Sequence, residues 1–230
     1  MLYIGAFKSY NSGTGYKSTC TTTGTSTPVL ATATQTIATF RAQHLAFSNV
    51  FNTQNWFMKE AISFTALIER GTFLTENGGT SQNNKWEGYS WKTGATSDDQ
   101  NLGQTLPLMN STGVIKNSSN QTISNSYRGI EGYHSHLWEF VDGINIISGA
   151  IWLAKHGSTY LSDTTSAPYF NSGRTTLTAG SVLYITAMNS GTFIPSAANG
   201  GNNITKYCDG AWFGAGNMVL VFGGSLHYPD

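Results

Sequence analysis

The sequence predicts an α+β fold: two helices packed on a twisted, mainly antiparallel sheet whose strands are joined by long irregular loops. Three observations carry this reading. Two apolar patterns with a helical period lie between Thr34 and Arg70. A dense aromatic block, SYRGIEGYHSHLWEFVDGIN, runs from Ser126 to Asn145 in the middle of the chain. Short β-prone runs then alternate with Gly-, Asn- and Ser-rich stretches to the end. Helices followed by strands, without a repeating βαβ alternation, are the pattern of an α+β arrangement.

Residues 2 to 8, LYIGAFK, are β-prone and read as a first strand. Residues 9 to 34 are rich in Ser, Thr and Gly and read as a loop or hairpin with little core of its own. Residues 1–33 are taken as the N-terminal strand and loop of the same domain that continues through residues 34–230. The first helix is expected to begin near Thr34 or Thr36, either of which can cap its exposed amides. Ile37, Phe40, His44, Phe47 and Phe51 recur at spacings of three and four and form its apolar face. His44 on such a face is expected to be a satisfied core side chain. The second helix is predicted from about Asn52 or Thr53 to Arg70. Its expected buried stripe is Phe57, Ala61, Phe64 and Ile68, widened by Met58, Ile62 and Leu67, with Gly71 placed to end it.

Residues 75 to 125 are polar and Gly-rich, with Trp86, Tyr89 and Trp91 interspersed, and are expected to be irregular but ordered. In the central block, Arg128, Gly129 and Gly132 form a Gly-rich turn, and Asp142-Gly143 reads as a stop. Strands are expected at Ile144 to Ala154, with Gly149 as a bulge, at Ser181 to Met188, and at Met218 to Phe222. The stretches SDTTSAPYFNSGR and NSGTFIPSAANGGNN read as loops between them.

Composition narrows the function. Charged residues make up only 10% of the 230-residue chain, and 12 basic residues balance 12 acidic ones. An average soluble domain carries roughly 25%. Without a basic field, nucleic acid is not expected as a partner. The longest apolar runs are far too short to cross a bilayer, so membrane insertion is not expected either. The N-terminus lacks the basic start and long apolar centre of a signal peptide. Cys20 and Cys208 are too few for a disulfide framework, and two isolated thiols are the simpler reading.

Candidate chemistry is sparse. His134, His136 and Glu139 form H-x-H-x-x-E, which starts a metal site only if a further ligand joins them. Hydrogen-bonded structural side chains are the expected alternative, and no metal is assigned. Asp98-Asp99 in a polar loop is the one pair that would suit calcium. No G-x-S-x-G elbow, G-x-G-x-x-G turn or phosphate loop is present, and no catalytic residue is assigned. Trp86, Tyr89, Trp91, Tyr169, Tyr207, Trp212, Phe213 and Tyr228 sit among Gly, Asn and Ser. Such aromatics either pin loops down or offer stacking faces to a ligand.

The block YRGIEGYHSHLWEFVDGIN resembles a segment of phage tail-fibre and other receptor-binding modules of the C-type-lectin type. Those modules share a fold with formylglycine-generating enzymes and with retroelement-diversified phage proteins. A G-N-x-W-E-W motif of that family corresponds here to Ser135-His136-Leu137-Trp138-Glu139-Phe140, and a later G-G-S-W motif to Gly223-Gly224-Ser225-Leu226. TQTIATFR (Thr34 to Arg41) and IERGTF (Ile68 to Phe73) are similar to the helices that precede the motif. The resemblance covers most of residues 3 to 226. It implies a C-type-lectin-like fold defined by Arg128, Gly129, Trp138, Glu139, Phe140, Asp142, Gly223 and Gly224.

It further implies a non-enzymatic virion protein of a tail fibre, baseplate or capsid appendage, assembled in the host cytoplasm, that binds a bacterial surface glycan or protein. Tyr207, Trp212, Phe213, His227 and Tyr228 are the expected ligand-facing residues. Other virion subunits are expected partners, and a homo-oligomer is the expected assembly, a trimer being one form that phage appendages take. A decoration or connector subunit with an assembly role alone is the alternative. An oxidase of the formylglycine-generating type is disfavoured, because Cys208 has Phe213 where a partner thiol would stand. Family members continue past the second motif, so either a tail follows Asp230 in a longer chain, or another chain or a rearranged strand closes the sheet.

Overall fold

Helix α1, Ile37–Phe47, starts where the chain supplies a cap. The structure is a computed structural model and describes residues 9–11, 16–18, 36–48, 52–70, 106–108, 111–116, 122–131, 139–178, 180–182, 185–190, 192–198 and 211–222. Of the two candidate caps, Thr36 holds the position: its Oγ1 accepts from the Thr39 amide, and Thr39 Oγ1 accepts from the Thr36 amide, each at 3.4 Å. Ile37, Phe40 and His44 are buried, as the spacing predicts, whereas Phe47 at the end of the stripe is exposed. His44 Nδ1 lies 3.2 Å from Thr53 Oγ1, so its polar partner there is a hydroxyl.

The described residues form a mixed α+β structure. Strands β1 (Ser9–Asn11) and β2 (Tyr16–Ser18) make an antiparallel hairpin. Helix α2 spans Trp56–Arg70. After a short 3-10 turn at Leu106–Leu108 come β3 (Gly113–Lys116), β4 (Thr122–Tyr127) and β5 (Ile130–Glu131), an antiparallel three-stranded sheet in that order. Next are β6 (Glu139–Ile147), β7 (Ala150–Ala154), β8 (Tyr169–Thr175), β9 (Gly180–Val182), β10 (Ile185–Met188), β11 (Pro195–Ala198), β12 (Ala211–Phe213) and β13 (Met218–Phe222). Strands β13, β6, β7 and β8 form a four-stranded sheet in that order, and β10–β11 and β9–β12 form separate antiparallel pairs.

The chain divides into two compact units. The first comprises Met1–Thr53, Glu87–Glu139 and Phe222–Asp230; the second comprises Gln54–Trp86 and Phe140–Val221. In the first, α1 packs on β2, and Arg128 and Gly129 form the two-residue turn between β4 and β5. Their φ angles of 49° and 81° give the twist that a tight antiparallel hairpin needs. Ser126 Oγ accepts from the Gly129 amide at 3.1 Å and donates to the Ser111 carbonyl at 3.0 Å, tying that turn to the segment that leads into β3.

The second unit is built around β6. Its residues from Val141 to Ile146 are buried without alternation, the pattern of a strand covered on both faces. Ser148 and Gly149, with φ of 49° and 80°, turn the chain into β7 with Ile147 opposite Ala150. The single bulged strand expected over residues 144–154 is therefore a hairpin. Asp142-Gly143, expected as a stop, lies within β6. Strand β8 falls where a loop was expected. It is an edge strand, in which Asn171 and Gly173 are exposed while Ser172 and Arg174 are half-buried. The run expected over Ser181 to Met188 is split between β9 and β10, while β13 occupies the expected residues Met218–Phe222.

Helix α2 buries Ile62, one of the residues expected to widen its stripe, but otherwise turns a different face inward from the predicted one. Lys59, Ile62, Ser63 and Ala66 are buried, whereas Phe57 and Ala61 are exposed and Ile68 is 80% exposed. The entry of the helix fixes this rotation. Gln54 O accepts the Asp142 amide at 2.9 Å, and Asn55 makes a parallel bridge to Asp142. With the chain anchored there, the small residues Ser63 and Ala66 fall on the inner face. Phe64 is half-buried and meets Phe193 at 4.6 Å between ring centroids. Residues 2–8, Phe51, Gly71, the 75–105 stretch, Cys20 and Cys208 lie outside the described residues.

Candidate functional site

The second unit gathers polar and aromatic side chains where α2 begins. Asn55 is the N-cap: its Oδ1 accepts the Met58 amide at 3.1 Å. That leaves the amide Nδ2 to face His156 Nδ1 at 2.9 Å. An amide nitrogen only donates, so Nδ1 is the acceptor and the proton of the neutral imidazole sits on Nε2. Phe57 meets the His156 ring edge-on, with centroids 6.4 Å apart and planes at 82°. Trp56 stacks beside Phe57 at 3.9 Å and donates its indole N–H to Ala154 O at 3.3 Å.

Beneath these groups, Tyr160 is buried and its hydroxyl accepts from the Gly157 amide at 3.3 Å. Burial raises the pKa of this phenol, and the negative charge of Asp142 raises it further, against hydrogen bonds from Gly157 and Asn55. Tyr160 serves as a prop for the turn at Gly157. Asp142 is almost fully buried, and its Oδ1 accepts the Gly143 amide at 2.8 Å.

The segment from Lys155 to Pro168, between β7 and β8, is braced from below. Asn145, buried in β6, donates through Nδ2 to Leu161 O at 3.1 Å and Thr164 O at 3.0 Å. The Tyr169 hydroxyl donates to Leu161 O at 2.6 Å and accepts from Leu161 N at 3.1 Å. Tyr160 holds the turn at Gly157. Tyr169 is thus one of the aromatics that pins a loop. The braced loop exposes Leu161, and it exposes His156 beside the exposed Phe57.

This arrangement is suited to contact. A catalytic histidine needs an acceptor on one nitrogen to orient it and a nucleophile or substrate on the other. His156 instead receives a neutral amide donor at Nδ1, with the Phe57 ring set at a steep angle to it. Among the described residues no group of three or more His, Cys, Asp or Glu is placed to hold a metal ion, and no helix is long and apolar enough to cross a membrane.

The residues singled out in the sequence are distributed differently. Phe213, one of the expected ligand-facing residues, is buried at the end of β12 opposite Gly180. Trp212 pairs with Ser181 through its backbone. Glu139 and Phe140 open β6 half-buried, and Asp142 lies buried in the same strand. Arg128 and Gly129 belong to the first unit. Tyr207, His227, Tyr228, Trp138, Gly223, Gly224, His134, His136, Asp98 and Asp99 lie outside the described residues. Sequence reasoning missed Asn55, Trp56 and His156. The readable signal was an Asn directly before Trp-Phe, a cap followed by two large aromatics. Comparison of the chain with protein-family models, with curated proteins and with solved structures finds no match.

Proposed function

We propose that the chain is a non-enzymatic recognition module with a C-type-lectin-like fold, carried on a phage virion in a tail fibre, baseplate or capsid appendage, where it binds a glycan or protein of the bacterial surface. The observation that supports recognition is the braced loop that exposes His156 next to Phe57. A pre-ordered loop loses little entropy on binding, and an aromatic edge beside an N–H donor suits both sugar rings and protein side chains. The low charge of the chain accords with uncharged ligand groups. The virion setting and the lectin-like fold rest on the motif resemblance alone.

Binding of the purified chain to bacterial cells and to a glycan array tests this reading. His156→Ala and Phe57→Ala, both at exposed positions, are expected to weaken binding at least about tenfold without loss of fold. Trp212→Ala and Tyr228→Ala test the strand ends favoured by the sequence motifs. Wild-type binding in all four variants, or no binding by the native chain, refutes recognition through these surfaces.

Assembly is the second reading, as a homo-oligomeric virion subunit. Its support is Ile68, 80% exposed on the outward side of α2 that also exposes Phe57 and Ala61. Light scattering of the native chain and of Ile68→Lys tests it. A particle larger than a monomer that dissociates in the variant supports assembly through this face, and a monomeric native chain removes it.

A further inference from the structure

The turn between β10 and β11 sits on α2 through an unusual contact. Glu60 Oε1 accepts the Phe193 amide at 2.9 Å, while Glu60 Oε2 is buried with no hydrogen-bond partner among the described residues. The turn is braced within itself. Asn189 N donates to Ile194 O at 2.9 Å, Thr192 N to Asn189 O at 3.0 Å, and Ile194 N to Thr192 Oγ1 at 3.1 Å. A second polar tether is Asn189 Nδ2, which donates to Thr175 O at the end of β8 at 3.2 Å. Thr192 and Ile194 are buried, and Phe193 packs on Phe64.

We propose that Glu60 is a proton-controlled latch: when its carboxyl is protonated the β10–β11 turn stays docked on α2, and when it ionises the turn lifts. A neutral carboxyl there leaves one O–H without an acceptor, a smaller cost than an unpaired buried charge. A carboxylate there leaves a charged oxygen without a donor, and the least costly remedy is water, which reaches Oε2 when the turn moves. Because the turn is cross-braced within itself, it moves as a unit and uncovers Phe193, Ile194 and Phe64 together.

The surrounding charges set where this happens. Arg174 on β8 is the cation whose field acts on Glu60, and it favours the ionised form. Lys59 is its neighbour along α2, buried on the inner face. The β10–β11 segment, residues 185–198, contains no titratable side chain. Burial outweighs the Phe193 amide and Arg174 and raises the Glu60 pKa to about 7. The latch is therefore poised near neutrality, and it operates whatever the module binds.

Hydrogen exchange of the full chain, corrected for the intrinsic pH dependence of exchange, tests the latch. Protection of residues 189–195 is expected to fall about tenfold between about pH 6 and about pH 8.5 in the native chain. Glu60→Gln, which keeps the acceptor and cannot ionise, is expected to hold its protection across that range. Arg174→Gln is expected to move the half-point to higher pH. Equal native protection at both pH values, or the same fall in Glu60→Gln, overturns the proposal. Should Glu60→Gln fail to fold, carbon-detected NMR of the native Glu60 carboxyl decides: a midpoint near neutrality coincident with a shift of the Phe193 amide supports the latch, and a midpoint below about pH 5 overturns it.

Discussion

Replacing Gly143 by alanine tests how the candidate site is held in shape. Gly143 lies within β6 at φ +73°, a conformation that costs an L-residue about 1–2 kcal/mol. A Cβ there would stand 2.9 Å from Tyr160 Cε1 and 3.3 Å from Trp56 Cδ1. Neither ring is free to retreat: Tyr160 accepts from the Gly157 amide, and Trp56 donates to Ala154 O. Overpacking of this kind adds about 1–3 kcal/mol. The expected loss is thus about 2–5 kcal/mol, a large share of the roughly 5–15 kcal/mol that holds a domain together. Urea unfolding followed by circular dichroism measures it. Gly173→Ala is the matched control, since Gly173 also has positive φ, +72°, but a Cβ there meets nothing within 4 Å. The control should show the backbone cost alone. If the two variants lose equal stability, or Gly143→Ala loses none, the close packing of Tyr160 and Trp56 under Gly143 is wrong.

Other outcomes follow from single contacts. Asn55→Ala removes the α2 cap and the donor to His156 and should cost about 1–2 kcal/mol in thermal unfolding; Asn55→Asp keeps a capping oxygen and should cost less. Tyr169→Phe strips the Leu161 amide of its acceptor and the Leu161 carbonyl of one of its donors. It should cost about 1–3 kcal/mol and speed hydrogen exchange across residues 155–168. Global stability should also depend on Glu60. Its pKa is raised from 4.5 to about 7 in the folded chain, so the folded state holds the proton more tightly. The associated stability is fully present below about pH 4.5 and is lost as pH rises to about 7, by about 3 kcal/mol at about 1.4 kcal/mol per pH unit. Denaturant titrations at the two ends of that window should show the loss in the native chain and not in Glu60→Gln.

The elements were easier to read in the sequence than their surroundings. The cap and inner face of α1 were legible because Thr36, Ile37, Phe40 and His44 act within one helix. The inner face of α2 was not. Its Phe57–Ala61–Phe64–Ile68 stripe has a helical period, but the rotation is set by Gln54 and Asn55 meeting Asp142, a pairing far away in sequence. Ser148-Gly149 carries a turn signal, but the apolar run on both sides conceals the two-residue reversal and makes Gly149 read as a bulge. Strand β8 was hidden by its polar composition, which an edge position tolerates. The site itself depends on Asn55 meeting His156 across 101 positions of sequence, which no local pattern records.

The bracing of the Lys155–Pro168 segment separates what holds it from what it shows. Asn145, Tyr160 and Tyr169 fix its path from within and the His156 ring meets Asn55, while Lys155, Thr159, Leu161 and Thr165 are exposed and carry none of those bonds through their side chains. Asp163, at φ +53°, is more restricted and favours residues that accept a left-handed backbone. The exposed positions can therefore change identity while the loop keeps its course. Such a division lets the outer surface diversify under selection without drawing on the stability of the unit that bears it.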